Sequence, residues 1–369
     1  MPPRVAILPP VPVPYREPLF RALAERGHVD PYVLYLSASQ PGWDQPSGWF
    51  SEAEGYRSEI LGARLRSRPG RSPITVPRGL GAALTRACAD CIVSWEFGPA
   101  TLRALAWARR RRVPVLVFSE LTPWSEAALS GLQWRVHRLV APRAAGFVAA
   151  SSQGAERLRG LGVAPERIEV ALQSAELEGL GPGAGASGGG PVSVLYVGRL
   201  VADKNLDGLI GAFSTAGFEE GEAELVVCGV GPLERELREL ALRLGVPARF
   251  PGAVPAGRLG AVYSDADVLA LVSTYEPFGV TLREGAAAGL PLLASRRAGA
   301  VGDVAVDGEN AIVVDPGDGG QIASALRRLV REPELRERLG AGSVAVTERH
   351  PLEADVEAWE RAVLGVVRG

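Results

Sequence analysis

The chain is almost free of lysine: Lys204 stands alone beside 39 arginines in 369 residues. Cysteine and histidine are scarce, at three each, and aromatic residues make up only 6%. So few cysteines exclude a disulfide-stapled scaffold and suit a reducing compartment. Cys88 and Cys91 spell one C-x-x-C, "CADC", but no second pair completes a four-cysteine zinc site. The pair also straddles a predicted helix-to-strand junction, where buried structural thiols are the simpler reading. A net charge of −2 lacks the positive excess of a nucleic-acid binder. No apolar run reaches the length of a bilayer span. The opening "MPPRVAILPPVPVPYREPLF" lacks the basic-then-apolar order of a secretion signal, so a cytoplasmic protein is expected.

The length fits two domains of ordinary size. The arginines are unevenly spread. Residues 1–190 hold 22 arginines against 16 acidic residues, and the remainder holds 18 basic residues against 26 acidic ones. Many of the first group lie in "RSEILGARLRSRPGRSPITVPRG" and "ARRRRVP". Two readings stand: a solvated surface, or attraction to an anionic acceptor or, weakly, to the inner face of a membrane.

Short β-branched runs alternate with amphipathic stretches, the pattern of parallel sheets covered by helices. "RVAILPP", "DPYVLYLS", "CIVSWEF", "VPVLVFSE", "GFVAASS" and "IEVALQS" read as strands of an N-terminal domain over 1–178. Residues 179–191, "GLGPGAGASGGGP", read as a flexible Gly-rich linker. A second set, "VSVLYVG", "AELVVCG", "ARFPGAV", "DVLALVS", "LPLLAS" and "AIVVD", restarts the pattern over 192–350. A last helix follows in 351–369. The fold expected is α/β, with two Rossmann-like domains whose parallel sheets face an interdomain cleft.

Open α/β sheets bind ligands beyond the carboxyl ends of their strands, so the candidate chemistry lies there. "VSVLYVG" runs into "GRLVADK", where Gly198 permits close backbone approach and Arg199 and Lys204 supply two cations. In so arginine-biased a chain, one ammonium suggests a compact point charge beside a phosphate. The next strand ends at Gly229-Val-Gly231, a partial dinucleotide fingerprint. Phe250 offers a wall for a flat base. "DVLALVS" runs into "TYEPFGVTLREG". There Pro277 holds Glu276 extended into the cleft, and Phe278-Gly279 bares the backbone. A helix starting at Val280-Thr281 points its free N–H groups at a diphosphate. Glu284, about a turn further, suits ribose hydroxyls. The D-x-D of Asp265 and Asp267 precedes a strand, at the wrong end of the sheet for a metal–diphosphate site.

With these pieces in order, the sequence resembles the retaining, nucleotide-sugar-dependent glycosyltransferases of GT-B architecture, of the family 4 type. The resemblance lies in "VGRLVADKNLDGLI", "LVVCGVGPLERELREL", "FPGAVP", "DADVLALVSTYEPFGVTLREGAAAGLPLLAS" and "GENAIVVDPGD". It implies that Arg199 and Lys204 neutralise the donor diphosphate and that Glu276 meets the donor sugar at the reaction centre. It also implies that the backbone at Phe278, Gly279 and Val280 binds sugar and phosphate, and that Glu284 binds the ribose. A nucleotide-sugar donor, a hydroxyl acceptor (small molecule, glycan or lipid-linked), retention of configuration and no required metal follow from the same resemblance, as does a final helix that crosses back to the first domain. The first domain departs from the pattern. Its first loop is proline-rich, and two readings stand for Tyr15 and Arg16: projection from this stiff loop as acceptor contacts, or proline-rich packing. Ser119-Glu120 stands where many relatives place a sugar-contacting histidine, so either Glu120 takes over sugar or acceptor contacts or this contact is lost. Rival readings are a sugar phosphorylase or nucleotide-sugar epimerase on the same scaffold, or a non-catalytic nucleotide-sugar binding protein.

Overall fold

A computed structural model describes residues 1–39, 54–68, 71–175, 180–181 and 190–368. The chain divides into two compact units, Met1–Ser174 with Pro351–Gly369, and Ala175–His350. Most of the Gly-rich stretch 179–191 lies outside the described residues.

Unit 1 is built on β1 (Arg4–Leu8), β2 (Asp30–Tyr35), β3 (Arg57–Ile60), β6 (Cys91–Trp95), β7 (Val115–Ser119), β8 (Gly146–Ala149) and β9 (Ile168–Val170). Between β3 and β6, the strands β4 (Ala63–Arg68) and β5 (Arg71–Pro77) form an antiparallel hairpin of their own. The arginine-rich sequence there, open to reading as a solvated or an anion-attracting surface, carries no plain strand pattern. The main sheet is parallel throughout, in the order β3-β2-β1-β6-β7-β8-β9. Its central strands are buried on both faces, and successive residues alternate between two helix layers. Val5 and Ile7 join one core cluster while Ala6 and Leu8 join another. The helices are α1 (Glu17–Arg26), α2 (Leu80–Ala87), α3 (Pro99–Arg111), α4 (Gly131–Val140) and α5 (Ser152–Gly160).

Unit 2 repeats the plan with β10 (Val192–Val197), β11 (Ala223–Cys228), β12 (Ala248–Gly252), β13 (Val268–Leu271), β14 (Leu292–Ser295) and β15 (Ala311–Val314). Its parallel order is β12-β11-β10-β13-β14-β15. Its helices are α6 (Leu206–Ala216), α7 (Glu234–Arg243), α8 (Leu259–Ser264), α9 (Val280–Ala287), α10 (Gly319–Arg331) and α11 (Pro333–Arg349). In both sheets the chain starts in the middle, winds outward, then returns to the middle and winds the other way. The reversal leaves a crevice at the carboxyl edge, between β1 and β6 and between β10 and β13.

The last helix, α12 (Leu352–Val367), belongs to unit 1. Its Trp359 is fully buried and stacks on Phe118 with ring centroids 5.5 Å apart. Buried Asp355 accepts a hydrogen bond from the Leu172 backbone N–H at 2.7 Å. Glu360 pairs with Arg26 at 3.2 Å and His28 at 3.0 Å. Among the described residues, no helix is long and apolar enough to cross a membrane. Trp359→Ala should therefore open a cavity beneath β6 and β7 and cost ~3–5 kcal/mol of stability, read from urea unfolding. A loss under ~1 kcal/mol would show that α12 is not part of the unit 1 core.

Candidate functional site

The crevice of unit 2 is bordered by the loops after β10 and β13. Past β10, Arg199 is half-buried, and a 3-10 turn over Ala202–Lys204 brings Lys204 round. Asn205 fixes this turn: its amide donates to the carbonyls of Val272 at 3.0 Å and Pro316 at 2.9 Å. The Thr274 N–H donates to the Asp203 carbonyl at 2.9 Å. So anchored, the Lys204 ammonium donates to the Glu276 carboxylate across the point where strand order reverses. Both side chains are largely buried, and Ser273 Oγ donates to the same Glu276 oxygen at 3.4 Å. Two residues 72 apart, singled out separately in the sequence, thus form one ion pair.

Behind Glu276 the chain turns through Gly279, whose φ of 101° is open to glycine at little cost, and enters α9. No side chain caps that helix, so its first N–H groups lack a capping partner. The loop after β14 clamps this turn. The Gly299 N–H donates to the Glu276 carbonyl at 3.1 Å, and the Ala300 N–H to that of Phe278 at 2.9 Å. Glu284, buried in the second turn of α9, accepts a hydrogen bond from Tyr263 Oη at 2.6 Å. Tyr263 is itself fully buried, and burial with the nearby Glu284 charge pushes its hydroxyl well above its ordinary value. It stays protonated and donates.

Other predicted residues take humbler places. A Cβ on Gly229 would lie 1.8 Å from the Gly198 carbonyl oxygen, and one on Gly231 would lie 2.4 Å from that of Leu200. Both glycines let the β10 and β11 loops run side by side, which is a packing requirement. Phe250 is half-buried, and the Arg238 guanidinium covers its ring at 4.7 Å, so the ring is not a bare wall. Asp267 accepts from the Ser193 N–H at 2.8 Å at the amino end of the sheet, and Asp265 ends α8. Among the described residues, no group of three or more His, Cys, Asp or Glu side chains is placed to hold a metal ion. Cys91 is buried and its thiol is pushed up to about 12 by burial.

Unit 1 has its own cluster at the corresponding edge. Arg16 was expected to project from the proline-rich loop, but it is buried. Its guanidinium lies over the Trp95 ring at 4.5 Å and donates to Glu120 Oε1 at 3.0 Å. The aromatic face and the carboxylate offset part of its lost hydration, while Nε and Nη1 are buried without a hydrogen-bond partner among the described residues. Trp95 Nε1 donates to the same oxygen at 3.4 Å. Tyr15 is half-buried beside it.

Glu96, just past β6, went unnoticed in the sequence, although a carboxylate directly after a mostly apolar strand at a sheet's carboxyl end was a usable signal. It takes a left-handed conformation, with φ 54°. It accepts from the Glu120 N–H at 2.6 Å and from Ser119 Oγ at 2.9 Å. Burial, then the nearby Glu120 charge, pushes Glu96 up to about 7. Tyr263, Ser273, Asn205 and the Gly299 loop were missed too, because nothing local in their sequence marks them as partners of the glutamates.

A family model for glycosyl transferases group 1 matches residues 184–343, and one for a glycosyl transferase 4-like domain matches residues 12–171. The sulfoquinovosyl transferase SQD2 of Arabidopsis thaliana is 27% identical over 82% of this chain and 63% of its own length. The D-inositol 3-phosphate glycosyltransferase of Corynebacterium urealyticum is 32% identical over 54% of this chain and 50% of its own. A glycogen synthase of Mycobacterium tuberculosis is 32% identical over 40% of this chain and 36% of its own length. The chain therefore spans less than two thirds of these curated relatives.

Among solved structures, Anabaena Alr3699/HepE in complex with UDP and glucose superposes with a TM-score of 0.76, at 16% identity over 98% of this chain and 100% of that one. Sucrose-phosphate synthase of Thermosynechococcus elongatus gives 0.74, at 19% identity over 96% of each chain. The fold is that of the GT-B proteins, with two Rossmann-like domains. By its paired domain matches, the chain belongs to the GT-B glycosyltransferases of the family 4 type.

The buried Glu96 carboxyl yields a test. An acid held above its ordinary value of 4.5 keeps, in the folded state, a proton that the unfolded chain has released. Its contribution to stability is therefore complete at low pH and is lost as pH rises from 4.5 to about 7. Glu96→Gln should remove that decline, on the order of 3 kcal/mol. Urea midpoints of wild type and variant, compared below and above this window, read it directly. Parallel pH profiles would show that Glu96 ionises as it does in water.

Proposed function

We propose that the chain transfers a hexose from a nucleoside diphosphate sugar to an acceptor hydroxyl, with retention of anomeric configuration and no metal ion. The observation that carries this reading is the Lys204–Glu276 pair at the strand-order reversal of unit 2. Doubly wound sheets take nucleotides at that point. The UDP bound to the Anabaena neighbour supports a donor of this class.

As the anomeric C–O bond to the diphosphate breaks, negative charge grows on the departing oxygen. Lys204, Arg199 and the N–H groups opening α9 supply the positive charge to meet it, which is commonly the largest catalytic term. These cations serve in place of a metal ion. The diphosphate competes with Glu276 for the Lys204 ammonium, and the carboxylate so released accepts hydrogen bonds from the sugar hydroxyls. Glu284, aligned by Tyr263, holds the ribose. The acceptor oxygen bonds to the anomeric carbon on the face the phosphate leaves, which gives retention, and its proton passes to the departing phosphate oxygen. No separate base is required. In unit 1, Glu120, braced by Arg16, is positioned to receive acceptor hydroxyls from a small molecule, a glycan or a lipid-linked saccharide. Three cysteines without a disulfide agree with action in the cytoplasm.

Thermal-shift screening against UDP-, GDP-, ADP- and TDP-sugars identifies the donor, because a bound ligand stabilises the folded state by mass action. With that donor saturating, Lys204→Ala should lower turnover by ~10²-fold or more. Unchanged turnover would sink the assignment. Tyr263→Phe should act differently, raising the KM for donor by about tenfold with kcat nearly intact, since it removes one hydrogen bond to a binding carboxylate. An equal loss in kcat would instead place Glu284 at the reacting centre. Sugar release to inorganic phosphate, or epimerisation of the donor alone, would mark a different chemistry on the same site.

A further inference from the structure

Three of the chain's exposed large apolar side chains fall within sixteen residues of unit 1: Trp124 at 41% exposure, Leu132 at 72% and Leu139 at 43%. Leu132 and Leu139 stand seven positions apart on α4 and so share one helix face. The opposite face is fully used. His137 and Val140 are buried, and Val136 packs on the core cluster that includes Phe97 and Phe147. The outward face is cationic as well as apolar. Arg135 and Arg138 are exposed, and among the described residues neither has a carboxylate partner. Arg143 donates to the Leu139 carbonyl at 2.8 Å at the end of the helix. No acidic residue occurs from 127 to 155. The acid just before this stretch, Glu126, is engaged by buried Arg157 at 3.6 Å.

Leucine tips beside arginines on one face of α4, with the exposed Trp124 in the 3-10 segment before it and no acid from 127 to 155, match a bilayer boundary. There apolar tips enter the acyl region while guanidinium groups stay among the headgroups. We propose that Trp124 and the outer face of α4 dock unit 1 on an anionic lipid surface. The position has a consequence for the acceptor, which rests on the transfer reading given above. The segment 120–131 leads from the carboxyl end of β7 into α4, so the docking face begins at the end of the sheet that carries Glu120. A lipid-linked acceptor held in that surface would meet unit 1 on its binding edge. The charge excess of residues 1–190 adds a long-range attraction to the same partner.

The test is flotation of the full-length protein with phosphatidylcholine vesicles, with and without phosphatidylglycerol. Binding is expected only to the anionic vesicles and should weaken as salt is raised. The double variants Leu132→Ser/Leu139→Ser and Arg135→Ser/Arg138→Ser should each reduce partitioning by at least about tenfold, with thermal melting unchanged. Leu242→Ser, which alters an equally exposed leucine in unit 2, should leave it as in wild type.

Four outcomes overturn the proposal: no binding to anionic vesicles, binding unaffected by both double variants, capture by soluble heparin but not by vesicles, or vesicle-free self-association that the leucine pair abolishes. Because flotation requires no turnover and Lys204→Ala leaves α4 intact, failure here and failure of the transfer reading are separable.

Discussion

A parallel sheet that starts in its middle must reverse its winding, and the reversal leaves two neighbouring strands whose following loops diverge. In unit 2 those strands are β10 and β13, and the Lys204–Glu276 ion pair lies across the gap. The surrounding hydrogen bonds serve this geometry. Asn205 ties the lysine turn to the end of β13, and the Gly299 loop holds the glutamate turn from the other side. A largely buried ion pair is costly unless its partners are fixed, because each charge has lost most of its water. The loop-to-loop bonds supply that fixation, so the pair is held in place.

Unit 1 sets different residues at the same topological position. Its crevice edge carries Arg16, Glu96 and Glu120, with the arginine stacked on Trp95. Where unit 2 sets a cation beside backbone N–H groups, unit 1 sets two carboxylates on the loops after β6 and β7, linked by the Glu120 N–H donating to Glu96. Glu96 is held partly protonated near neutrality by burial, and it fixes the backbone from which Glu120 extends. The division accords with a cationic edge for phosphate and a carboxylate edge for hydroxyls. Trp359 of α12 lies beneath Trp95 and Phe118, so the last helix supports the floor of this edge.

Much of the fold was legible because fully buried strands leave a plain mark. "CIVSWEF" and "VPVLVFSE" are mostly apolar runs with a single serine within each strand, and they form β6 and β7. The hairpin of β4 and β5 was not legible: it lies outside the main sheet, and its arginines obscure the strand pattern. Lys204 and Glu276 stood out because type and position coincide, a sole lysine after a strand and a glutamate before proline. The Arg238 cover on Phe250 was not legible, because a half-buried aromatic ring looks the same in sequence whether or not an arginine lies over it. Arg16 misled for a related reason, since its two partners lie on β6 and just past β7.

The sequence by itself determined two doubly wound units, the loops that carry chemistry, and the residue types at the strand ends. These follow from local periodicity and from the backbone preferences of glycine and proline. Only the tertiary structure decided which of those residues meet. Lys204 pairs with Glu276, Tyr263 with Glu284, and Glu96 with the Glu120 backbone, across separations of 72, 21 and 24 residues. The physical reason is that a hydrogen bond or ion pair is fixed by distances of about 3 Å. Residues far apart in the chain reach that distance only after the sheets have assembled and set the register of their loops.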